Sequence, residues 1–283
     1  MNRAKFLRPH IIVLAITVAT WLLLALDSPW HNLGEQRSFF VATVLAVWGW
    51  TTWIVVATAL LVPSAISLTA VRIVIPVSVV TSFIAVAPIS IFASLTMLVI
   101  CASPLFADTM VQGGAYGDEI RFTLKTPVPY MAPAFVAWAL LCSTLLCGTL
   151  FLAAQQWWVG TPLVIAGGVL ARYVPLRLHR LARRWLVVVP AGIVIHDHLV
   201  LAETIMSTKN NIARITEVTN AEETADFTGG VLGQRLAVYL QNADKVVLSR
   251  ITMKTLGTTE ALHVKAFSVA PRRLHAAMST ITK

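Results

Sequence analysis

His196-Asp197-His198 is the triplet most suggestive of chemistry in this chain. On an extended strand its two imidazoles face the same way, as metal ligands must. A third ligand would have to come from His263, His275 or a distant carboxylate, and Asp-His is also ordinary turn chemistry between two strands. The triplet therefore reads first as a turn. Asp118, Glu119 and Arg121 form a second group, with two carboxylates beside a guanidinium. Such a set can supply an acid and a base at a membrane surface. Its plainer reading is a solvated loop fastened by its own ion pair. A third group is Arg172, Arg177, Arg180, Arg183 and Arg184 followed by Trp185, a combination suited to lipid phosphates.

Other residues carry weaker signals. Arg72 stands in an apolar run, where it reads as a side chain snorkelling to an interface or, more sharply, as a charge lining a path. Gly229-Gly230 with Gly233 lacks the GK[ST] that a phosphate-binding loop needs, and no GxSxG, HExxH or P-loop occurs. The three cysteines, Cys101, Cys142 and Cys147, lie in apolar runs without a CxxC pair, and read as packing residues. No metal site and no cofactor is expected.

The elements that must position these groups are mostly apolar. Over 283 residues the chain is 57% hydrophobic and only 12% charged, with a mean hydropathy of +0.75. Charged residues make up about a quarter of a soluble protein, so this chain belongs in a membrane. Residues 1–175 read as a transmembrane domain with about six spans, near 10–27, 39–62, 66–85, 89–107, 134–154 and 161–175. Pro88 divides the long apolar stretch between the third and fourth spans, and Asp108 opens the longest polar interruption, 108–133. Trp30 is expected at the far interface, whereas Trp48, Trp50 and Trp53 fall mid-span and read as helix-packing residues. Gly167-Gly168 would allow close helix contact. Four spans, with part of 66–106 and 161–175 re-entrant or interfacial, is the alternative; both counts leave the two ends of the chain on one side.

The charge distribution indicates which side. From Arg172 onward there are 15 Lys and Arg against eight Asp and Glu, and Arg3, Lys5, Arg8, Arg121 and Lys125 fall on the same predicted face. Only Arg37 falls on the other, so the positive-inside rule places both termini in the cytoplasm. Residues 176–184 are expected to form a basic interfacial helix, with Leu178, Leu181, Ala182 and Trp185 as its apolar stripe. From residue 185 to 283 the period becomes that of strands, with runs at 186–189, 193–195, 199–206, 211–218, 235–241, 245–248 and 262–269, then a helix at 271–281. Six or seven strands closed by one helix predict a cytosolic β-rich domain resembling the pleckstrin-homology-like superfold in architecture, or a small β-roll.

YGDEIRF (116–122), RRWLVVVPAGIVIHDHLVLAE (183–203) and TGGVLG (228–233) together resemble a family of multi-pass membrane proteins from actinobacteria. The resemblance covers most of the chain after Pro63 and implies a bacterial plasma membrane location, but no activity. Ile120 departs from the pattern, where an arginine would fit better. The leading functional expectation is a membrane-anchored binding, scaffold or assembly protein. Its partners would be the bilayer, anionic headgroups at the basic junction, and a membrane or cytosolic protein, with no nucleic acid. A transporter or channel component is the alternative, and an interfacial enzyme using Asp118 and Glu119 on lipid-linked substrates the third.

Overall fold

A computed structural model describes residues 3–219, 224–256 and 261–282. The chain divides into two compact units. The helical unit takes the residues up to Gly113 together with Pro133–His179, and the β unit takes Gly114–Ala132 and the residues from Arg180 onward.

In the helical unit, α1 (Arg3–Asp27) runs into the short α2 (Pro29–Gly34), followed by α3 (Phe39–Leu61), α4 (Ala65–Ile84), α5 (Pro88–Ala102) and α6 (Pro104–Gln112). After the strand β1 (Ile120–Thr123) come α7 (Val128–Ala153) and α8 (Trp157–Ala182). Among the described residues, five helices are long and apolar enough to cross a membrane, the first of them Pro9–Gly34. The pair α5 and α6 would make a sixth, but is bent by 72°. The expected fourth span is thus broken rather than continuous. Pro104 brings no backbone N–H, and the Ser103 hydroxyl accepts from Phe106 N at 3.2 Å to start a new helix. Asp108 belongs to that second arm and is 1% exposed, so it does not open the polar loop as expected.

Tryptophans join the helices. Trp21 Nε1 donates to the Trp53 carbonyl at 3.0 Å and Trp53 Nε1 donates back to the Trp21 carbonyl at 3.2 Å, tying α1 to α3. Trp48 Nε1 donates to Thr149 Oγ1 on α7, and Trp138 Nε1 to the Ile73 carbonyl on α4. Trp30 is buried, its ring lying on Gly49 and meeting the Trp50 ring edge-on at 5.0 Å. Gly167 packs against Leu145 of α7, while Gly168 has open space where a side chain would stand.

The β unit continues with β2 (Arg184–Val189), β3 (Gly192–Asp197), β4 (Ile205–Thr208), β5 (Ile212–Val218), β6 (Ala225–Asp226), β7 (Arg235–Val246), α9 (Arg250–Leu256), β8 (Leu262–Val269) and α10 (Leu274–Ile281). One sheet has the order β1-β2-β3-β4, the other β5-β7-β8-β6. The period-2 pattern sends Phe122, Leu186, Val188, Ile193 and Ile195 of the first sheet into one core with Leu236, Val238, Phe267 and Val269 of the second. Leu274 and Ala277 of α10 join that core.

Three details differ from the strand pattern expected. The candidate at 245–248 merges into β7, whose register shifts between Tyr239 and Asp244. The run at 199–206 is mostly turn, with its strand beginning only at Ile205. No separate basic helix spans 176–184: α8 runs unbroken to Ala182, and Arg184 and Trp185 already belong to β2.

Candidate functional site

Because β1 pairs with β2 and β2 with β3, three groups far apart in sequence share one surface of the β unit. Thr123 lies opposite Trp185, and Trp185 opposite His196. The Arg121 guanidinium stands 5.5 Å from the Trp185 ring centroid. Trp185 stacks on His196 at 4.9 Å with 16° between planes, and His196 meets His198 edge-on at 4.3 Å. The result is a ladder of cation, indole and two imidazoles, in which the guanidinium takes the π-face of tryptophan.

Hydrogen bonding defines the central imidazole. Arg183 Nη2 lies 3.4 Å from His196 Nε2, and His196 Nδ1 lies 3.1 Å from Thr204 Oγ1. A guanidinium only donates, so Nε2 is the acceptor and Nδ1 carries the proton toward Thr204. Burial and then the charges of His198, Arg183 and Arg121 push His196 down to about 4 from 6.5, with Asp197 pulling the other way. The imidazole is therefore neutral at pH 7.

Beneath the ladder lies a buried ion pair. Arg184 Nε donates to Asp197 Oδ1 at 2.9 Å and Nη2 to Oδ2 at 2.7 Å, a two-pronged pairing of side chains that are each at most 1% exposed. Arg184 also donates to the carbonyls of Lys125 at 2.8 Å and Thr228 at 3.1 Å, while Asp197 accepts from Leu199 N at 3.1 Å. The pair thus fastens β2, β3, the chain after β1 and the turn at Thr228 together. Arg184, expected to face lipid phosphates, instead spends its donors inside the protein. Its position had a legible signal: in RRWLVVV it shares parity with Leu186 and Val188, as Asp197 does with Ile193 and Ile195.

The remaining candidates fall elsewhere. Arg172 and Arg177 are exposed on α8 in the helical unit, and Arg180 is exposed near that helix's end. Asp118 is exposed, whereas Glu119 accepts from Tyr116 N at 2.7 Å and pairs with Arg121. Arg72 is partly buried on α4, near enough to Cys101 for charge to be felt. A polar group that pattern reading passed over lies on α1 and α6, where His10 Nδ1 and Thr109 Oγ1 are 2.8 Å apart beside the buried Asp108. Among the described residues no three His, Cys, Asp or Glu side chains stand close enough together to hold a metal.

No protein-family model, curated protein or solved structure matches this chain at a significant level.

Proposed function

We propose that this is an integral membrane protein whose helical unit anchors a cytosolic, pleckstrin-homology-like β unit that binds an anionic headgroup or a protein partner. The observation that carries the reading is the construction of the β unit from two chain segments, Gly114–Ala132 and the tail, with two apolar helices between them. A unit connected to its anchor at both segments is held with less freedom than one on a single linker, which lowers the ordering cost of binding at the surface. Its own core supports the ladder of Arg121, Trp185, His196 and His198, which with Arg183 beside His196 brings two guanidinium groups to one surface of the β unit. A bacterial plasma membrane is part of this proposal and rests on the family resemblance, while both termini cytoplasmic rests on the charge asymmetry together with α5 and α6 counting as one span.

The test uses the full chain in membranes with a photo-crosslinking residue at His198, which is exposed. A defined lipid or protein adduct is expected, and it should be lost when Arg121 and Arg183 are both replaced by Glu. Adducts that persist unchanged in that variant would overturn the role of the ladder. A cysteine placed at exposed Glu203 should react with an impermeant thiol reagent only from the cytoplasmic side.

A second reading, a transporter or channel component, draws on the 72° break between α5 and α6 and on the buried Asp108 beside His10 and Thr109. Broken helices and buried ionisable groups are the usual parts of a membrane pathway. Proteoliposomes with an internal pH dye decide it. Proton-coupled flux that falls on Asp108→Asn would support transport, and the absence of any flux from the unaltered chain would end it.

A further inference from the structure

The TGGVLGQ turn that leads into β7, residues 228–234, contains no charged side chain. Its own bonds hold it in one shape. Thr228 N donates to Asp226 Oδ1 at 2.7 Å, Val231 N to Thr228 Oγ1 at 3.1 Å, and Arg235 Nη2 to the Val231 carbonyl at 2.7 Å. Arg235 also pairs with Asp226 at 3.2 Å, so the two charges that flank the turn offset each other. Gly229, Gly230 and Gly233 have φ of 73°, 89° and 87°, a backbone that other residues rarely adopt. On this frame Val231 is 3% exposed and belongs to the interior of the β unit, whereas Leu232 stands out at 77%.

One exposed leucine is ordinary on a protein surface, so its place in the chain has to give it meaning. Both ends of the turn are fastened to the residues just before α7. A Cβ on Gly229 would stand 3.1 Å from Pro127 Cγ, and Lys125 Nζ donates to the Gln234 carbonyl at 3.1 Å. The buried Arg184 guanidinium joins the same two segments, donating to the Lys125 carbonyl at 2.8 Å and to the Thr228 carbonyl at 3.1 Å. Gly114–Ala132 belongs to the β unit, so these contacts lie within one compact unit. Val128 then opens α7, whose 26 residues are long and apolar enough to cross a membrane. At 1.5 Å per residue such a helix is about 39 Å long against a hydrocarbon core of about 30 Å, so its ends fall among the headgroups. Its first turn also exposes Val128 and Met131.

We propose that the 228–234 turn is a membrane-docking finger, with Leu232 entering the boundary between headgroups and acyl chains beside the point where α7 enters the bilayer. Groups at that boundary lie about 5–10 Å into the lipid. Lipid is the occupant because the residues that hold the turn are those next to a span, and because the turn itself has no charge to desolvate. Its fixed shape keeps the ordering cost of insertion low. The Lys125 ammonium, on a flexible apolar stem, suits the phosphate level above the leucine. The finger gives the β unit a point of attachment to the bilayer besides its two chain connections. It rests on the reading of α7 as a membrane span and is independent of the ladder.

The experiment uses the full chain in nanodiscs of phosphatidylcholine and phosphatidylglycerol, with Cys142 and Cys147 replaced by Ala and buried Cys101 left in place. A bimane fluorophore is attached in separate samples through Leu232→Cys, Met206→Cys and Leu140→Cys, all exposed positions. Nitroxide quenchers are carried on the lipids either just below the headgroup or deep in the acyl chain. The Leu232 label is expected to lose fluorescence to the shallow quencher, the Leu140 label in the middle of α7 to the deep one, and the Met206 label on β4 to neither. A label on exposed Gln234→Cys should also respond to the shallow quencher, and Leu232→Asp in the same chain should abolish that response. A Leu232 label that neither quencher reaches, with the Leu140 label quenched, overturns the finger and leaves the leucine to a protein partner. Equal quenching at Leu232 and Met206, or a Gln234 response that survives Leu232→Asp, overturns it as well. A Leu140 label missed by the deep quencher overturns the span itself, and the finger with it. Crosslinking at His198 is read separately, so failure of the finger alone leaves that reading standing.

Discussion

At the scale of single residues, Arg184 and Asp197 illustrate how a charged pair becomes part of a core. Neither side chain reaches water, and their remaining hydrogen-bonding capacity is directed to backbone groups of three other segments. Removing one partner leaves a buried charge uncompensated, which costs about 3–5 kcal/mol. Arg184→Ala is therefore expected to lower the unfolding free energy of the full chain in detergent by that order, measured by denaturant titration. His196 makes a pH prediction. It takes up its proton near 6.5 when unfolded and at about 4 in the fold, so the unfolded chain holds more protons between those values. Stability should fall as pH drops through that window. His196→Gln should flatten the dependence, read as unfolding midpoints between about pH 7.5 and about pH 4.5.

At the scale of elements, helix boundaries follow proline and small-residue chemistry. Pro88 starts α5, and its first turn is satisfied from another helix, with Ser90 N donating to Asp27 Oδ2 at 2.9 Å. Pro104 starts α6 after the Ser103 break. Position 104 falls inside the run 89–107, which reads as one span from apolar length alone, and the 72° bend was not legible, since proline alone does not determine where the next arm packs. Gly49 shows the same limit. Its place in a run of apolar and aromatic residues says only that α3 is a helix, while its need for hydrogen depends on Trp30 lying across it. A Cβ at Gly49 would overlap the Trp30 ring, so Gly49→Ala should destabilise the helical unit by about 1–3 kcal/mol, as overpacking does. Thermal denaturation in detergent measures it, and an unchanged midpoint would remove Trp30 from that notch.

At the scale of the whole molecule, the β unit is incomplete without the segment that precedes α7. Phe122 is fully buried and Leu124 is 6% exposed in its core, and β1 covers the edge of β2. A fragment of residues 185–283 lacks that strand and also Arg184, so it should not fold stably in isolation. Restoring residues 114–127 and Arg180–Arg184 through a short linker should recover a cooperative transition by circular dichroism; loss of a buried Phe alone costs about 3–5 kcal/mol. Apolar run lengths, charge asymmetry and strand periodicity were enough to indicate a chain of membrane-type helices followed by strands and a closing helix, because these depend on neighbours in sequence. Strand partners depend on contacts across the chain, so only the tertiary structure brought Arg121 to Trp185 and His196. The same holds for Arg184: local charge density pointed it toward lipid, and pairing with Asp197 across two strands decided that it lies inside.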